Sequence, residues 1–119
     1  VIIARPTHVM AFAVTDANFD THIIPESYIQ LRDIPRLPFG LGLMQPEKTA
    51  GVFSKKCPIA LVENDCVIVT GKTLLEAFDR LEVAEFTAKA LISANSISEP
   101  APINEEKIAE IIKAFNLDT

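Results

Sequence analysis

Two short apolar runs, Ile59–Val62 and Cys66–Val69, flank Glu63-Asn64-Asp65 and lead through Gly71 into a long stretch of helical periodicity. This succession constrains the fold more than any other feature of the chain. Four-residue runs rich in Val, Ile and Leu and bounded by turn residues have the pattern of buried strands, and Asn and Asp favour the tight or left-handed backbone of a turn between them. After Gly71 the period changes. Thr73 suits a helix N-cap, and Glu76 three residues on completes a capping box, which gives acceptors to two backbone N–H groups. Leu74, Ala77, Phe78, Leu81, Ala84, Ala88, Leu91 and Ile92 recur at spacings of three and four, which predicts one helix with an apolar face that must be buried. Glu76, Asp79, Arg80, Glu82 and Lys89 fall largely on the other side. Glu85 sits beside the stripe and, if covered, needs a hydrogen-bonding or charged partner; a satisfied structural carboxylate is the expected reading, ahead of a catalytic one.

The rest of the chain is less explicit. Val1-Ile2-Ile3-Ala4 has the pattern of a buried strand already under way, so the chain is expected to start in mid-domain, with its sheet incomplete unless another chain covers the edge. Arg5-Pro6-Thr7 is a turn into a short, strongly apolar helix carrying Val9, Met10, Phe12, Ala13 and Val14, which ends in the polar stretch Asp16–Asp20. His22–Gln30 is weakly helical from Pro25-Glu26. Leu31–Phe39 alternates around Pro35 and Pro38 and fits an edge strand or an extended crossing. Gly40, Gly42 and Pro46 mark a loop, and Pro46 opens a short helix through Phe53. Residues 96–103 form a linker to a last helix capped by Asn104, with Glu105 and Glu106 at its positive end and a stripe of Ile108, Ile111, Ile112 and Phe115 that needs a docking surface.

Several classes of function are disfavoured. The 119 residues make one domain, and a formal charge of −5 argues against nucleic acid or an anionic membrane, which need clustered Lys and Arg. No apolar run approaches the length of a membrane span and no leader pattern opens the chain, so the expected location is cytoplasmic. Cys57 and Cys66 fit neither a disulfide framework nor a zinc-finger spacing and are expected to be reduced thiols without chemistry. No G-x-G-x-x-G, G-x-x-x-x-G-K-[ST] or G-x-S-x-G occurs, and Gly71-Lys72-Thr73 is only a fragment of the second, better explained by helix capping. His8 and His22 are isolated, without the partners a metal site requires; for His8 a satisfied ring on a helix or turn is expected. Turn chemistry accounts for Glu63 and Asp65.

The run Ile59–Gly71, followed by Leu74-Leu75-Glu76-Ala77-Phe78 and Glu85-Phe86-Thr87-Ala88, resembles the class II aldolase/adducin family, in which a strand ends in Asn-His-Gly before a Val-rich strand, a glycine and a helix with a later Glu. Ile3–Phe12 is similar to that family's His-x-His strand end and the helix after it, and Asn104–Leu117 resembles the C-terminal helix of rhamnulose-1-phosphate aldolases. The resemblance covers nearly all of this chain and the C-terminal half of the family's domain. It implies an α/β fold with a mostly antiparallel sheet flanked by helices on both faces, an α/β/α sandwich that lacks its N-terminal half here. In the family three histidines bind zinc, which polarises the carbonyl of a ketose phosphate during its cleavage to dihydroxyacetone phosphate and an aldehyde. The alignment puts those histidines on Ile3, Arg5 and Asp65, with Cys66 in place of the glycine. Ile cannot ligate and Arg repels a dication, so the resemblance implies vestigial metal-site positions, no bound metal and no catalytic residues in this chain. The expected role is that of a non-catalytic aldolase-like protein acting in assembly or regulation; the alternative is a fragment or subunit of an active zinc-dependent fuculose- or rhamnulose-1-phosphate-type aldolase. Self-association, or association with the missing half, is the partnership this implies, and a small-molecule substrate is left open. If the strand ends meet as in the family, Arg5 and Asp65 are expected to form a partly exposed ion pair.

Overall fold

A computed structural model describes residues 1–117, with Gly42 and Leu43 described by their backbone alone. Asp118 and Thr119, which the single-domain reading of residues 1–119 includes, lie outside the described residues. The core of the fold is the hairpin of β3 (Ile59–Val62) and β4 (Cys66–Val69), whose antiparallel register pairs Ile59 with Val69 and Val62 with Cys66. Asn64 takes the left-handed backbone the turn requires, at φ 59°. On the outer side of β4, β1 (Ile2–Ala4) pairs antiparallel, and on the outer side of β3, β2 (Arg36–Leu37) pairs parallel, giving the order β1-β4-β3-β2. Two of three pairings are antiparallel, in keeping with the expectation of a mostly antiparallel sheet, and the parallel edge makes it mixed.

Period-two alternation sends the hairpin's side chains to two different layers. Ile59, Leu61, Val67 and Val69 face a large core built with α1 (Thr7–Ala13), α2 (Pro25–Leu31) and α5 (Leu74–Asn95). Ala60, Val62, Cys66 and Ile68 face a smaller one, closed by Leu41 of α3 (Leu41–Met44), Val52 of α4 (Pro46–Val52) and Phe53. Helices therefore cover both faces. The last helix, α6 (Glu105–Ala114), is capped by Asn104, which accepts from the Lys107 N–H at 2.9 Å, and it docks Ile108 beside α2.

The described elements correct or narrow four sequence expectations. Val1–Ala4 is not a buried strand: β1 is a sheet edge on which Ile3 is 63% exposed, and Val1 just ahead of it is more so, because only one neighbouring strand and one face cover this edge. The edge strand expected in Leu31–Phe39 is present at the sheet edge but spans only Arg36–Leu37, because Leu31 ends α2 and the two prolines limit the ladder. The loop expected at Gly40 and Gly42 holds the single turn α3, with Gly40 at φ 84° ahead of it. Finally, the α5 face that is buried is not the whole predicted stripe. Ala77, Ala84, Thr87, Ala88 and Leu91 are buried, whereas Leu74 is 71% exposed and Phe78 and Ile92 are also exposed. Apolar residues lie on several sides of this helix, and the side rich in alanine packs inward because small side chains let α5 approach α1, α2 and the sheet closely.

Candidate functional site

The three positions singled out by the resemblance come together. In the β1–β4 register Ile3 lies opposite Ile68 and Ala4 opposite Val67, which brings Arg5, just past β1, to the turn end of β4 where Asp65 sits. Arg5 Nη2 is 2.8 Å from Asp65 Oδ1, and Arg5 Nε donates to the Asp65 backbone C=O, also at 2.8 Å. The side chains are 64% and 36% exposed, so the expected partly exposed pair is present. Residues 3, 5, 66 and 68 share one face by alternation, and Ile3, Arg5 and Asp65 line one groove of about 570 Å³ between this face and α4. Its other walls, among them Phe53, Val62 and Ile68, are mostly apolar, with Thr49 and Thr70 as polar exceptions. Cys66 also lines it, and burial pushes its thiol up, with Asp65 adding to the rise and Arg5 opposing it, so the thiol is held protonated.

Zinc does not fit these residues. Arg5 places a permanent cation at hydrogen-bonding distance from Asp65, the one possible ligand of the three, and Ile3 offers no donor. Among the described residues no group of three His, Cys, Asp or Glu side chains converges as a metal site would need.

Glu85 has a different job from the groove. Its carboxylate accepts from the His8 N–H at 3.1 and 3.2 Å and from the Val9 N–H at 3.0 Å, and it meets His8 Nδ1 at 2.7 Å. It thus supplies the acceptor for the first turn of α1, where Pro6 stands at the N-cap with no side-chain bond to offer. Burial pushes this carboxyl up, but the hydrogen bond from His8 and the two backbone N–H groups outweigh it, so the net shift is downward. The expectation of a structural carboxylate fits, and His8 has its satisfied ring. His22 is likewise satisfied: Nε2 lies 2.9 Å from Asp33 Oδ1 and the ring meets Tyr28 edge-on.

At the start of α5 the Glu76 N–H donates to Thr73 Oγ1 at 3.1 Å, as a capping box requires. The reciprocal bond differs from the expected form, since Glu76 Oε1 accepts from the N–H of Lys72 at 2.8 Å, one residue ahead of the cap. Gly71-Lys72-Thr73 is therefore a capping segment. Gly71 is needed for space: a Cβ there would lie 2.7 Å from the Ala77 nitrogen.

No helix of the described residues is long and apolar enough to cross a membrane. Compared with known proteins, the sequence matches no family model, and no curated protein matches it.

Proposed function

We propose that this chain is a non-catalytic relative of the class II sugar-phosphate aldolases, acting in assembly or regulation of a related protein. The Arg5–Asp65 pair carries the reading. The resemblance assigns metal ligands to Ile3, Arg5 and Asp65, and the three residues line one groove with the guanidinium bound to the one carboxylate of the three. Aldol cleavage of this type needs a dication to polarise the ketose carbonyl and steady the enediolate. A chain whose ligand positions are an alkyl group, a cation and a paired anion has no set of donors for that ion.

Assembly is supported by surface. Leu74, Phe78, Phe86 and Ile92 expose an apolar side of α5, and β1 leaves one strand edge with backbone groups unpaired in the sheet. Such features mark contacts with other chains. The two free cysteines, one half-buried and one buried, go with the reducing cytoplasm. The test is metal analysis of the purified chain after incubation with zinc, together with an assay of fuculose- and rhamnulose-1-phosphate cleavage. The expected result is no stoichiometric zinc and no cleavage. A tightly held zinc with cleavage would instead support the fragment or subunit of an active aldolase.

A further inference from the structure

At the opposite end of β4 from Asp65 lies a second cavity of about 570 Å³, and its charge is unlike that of the molecule as a whole. Arg32 beyond α2, Lys55 before β3, Lys72 after β4 and Arg80 on α5 all line it, against one carboxylate, that of Glu76, among the described residues. The chain has 16 acidic residues against 11 Lys and Arg, so cations brought from four separate segments into one concavity stand out from their surroundings. Walls of low dielectric constant focus the potential of such a cluster.

Arg80 is held in place. Its Nε donates to the Gln30 C=O at 3.2 Å, and its Nη1 donates to the Thr70 C=O at 2.7 Å and meets Glu76 Oε1 at 3.1 Å. Its Nη2 makes no such bond among the described residues. The Arg32 guanidinium lies over the Tyr28 ring, 5.5 Å from its centroid. The ammonium groups of Lys55 and Lys72 form no ion pair among the described residues, and both side chains are exposed. One fixed guanidinium beside flexible ammonium groups is a combination that takes a tetrahedral dianion from several sides.

We propose that this cavity binds a small molecule bearing a phosphate group. A carboxylate would neutralise less of the cluster, and the volume lies in the range of small-molecule sites, which leaves room for an organic part beyond the phosphate. A nucleic acid is disfavoured by the net charge of −5 of the whole chain. The site adjoins the Arg5–Asp65 groove only at Thr70, holds none of that groove's charged residues, and stands or falls independently of the aldolase likeness.

Calorimetric titration of the intact chain near neutral pH and at low salt tests it, with inorganic phosphate and glycerol phosphate as the two probes. Saturable binding of one probe molecule per chain is expected. Tighter binding of glycerol phosphate would mean that the organic part is recognised, and equal or tighter binding of inorganic phosphate that the free ion is the ligand. The double variant Lys55→Glu/Lys72→Glu should weaken binding by about tenfold or more, as expected for loss of charge-assisted contacts. Both side chains are exposed and neither forms an ion pair among the described residues, so its melting temperature should match that of the parent; if it does not, Lys72→Ala alone should still weaken binding by about threefold. Absence of saturable binding by either probe up to about 10 mM, or binding that folded variants leave unchanged, would overturn the proposal.

Discussion

Glu85 and Arg5 show how single residues reach across the chain to complete elements they do not belong to. The Glu85 carboxylate caps α1 from another helix, so Glu85→Ala should cost about 1–2 kcal/mol in urea unfolding, the range for a lost cap whose N–H groups are left without an acceptor. Its folded pKa is depressed, so this contribution is present above the unfolded carboxylate value of about 4.3 and is lost as the pH falls through the lower folded value. Below about pH 4 the stability of Glu85→Gln should therefore fall less steeply than that of the parent. The Arg5–Asp65 pair is too exposed to contribute much, and a double-mutant cycle with Arg5→Ala and Asp65→Ala should return a coupling of about 0–1 kcal/mol. Glu85's need for a partner was legible from its place beside an apolar stripe. Its partner was not, because His8 is 77 residues away and nothing in local periodicity links the two.

The β3–β4–α5 unit was the most legible part of the molecule, since alternation, turn residues and a capping pair agree within one contiguous segment. Gly71 joins the sheet to α5 where any Cβ would press on backbone, so Gly71→Ala should lower stability by about 1–3 kcal/mol, readable as a shift in the denaturation midpoint. Thr73→Ala should cost about 1 kcal/mol by the same measurement, through loss of the bond to the Glu76 N–H. The edges of the sheet were less legible. β2 is only two residues long and β1 three, too short for alternation to separate a buried strand from a half-exposed one. Which side of α5 faces inward was also hidden, because apolar residues occur on several sides and tertiary packing, not periodicity, selected the alanines. The Arg5–Asp65 contact was reached only through the resemblance, by setting two strand ends side by side.

Considered as a whole, the molecule leaves apolar surface on α5 and an open edge at β1, and both favour association. Sedimentation should show a concentration-dependent oligomer, and Phe78→Glu/Phe86→Glu should shift it toward monomer with little change in melting temperature, since both rings are exposed. A compact monomer of the parent chain across dilution would count against the assembly role. Zinc stoichiometry after incubation with excess zinc and desalting decides whether the Arg5–Asp65 pair has taken the place that the proposed aldolase likeness would give to a metal. Well under one zinc per chain and no release of dihydroxyacetone phosphate from fuculose or rhamnulose 1-phosphate is the expected result; one tightly held zinc per chain, lost on Asp65→Ala together with aldol cleavage, would contradict the non-catalytic reading.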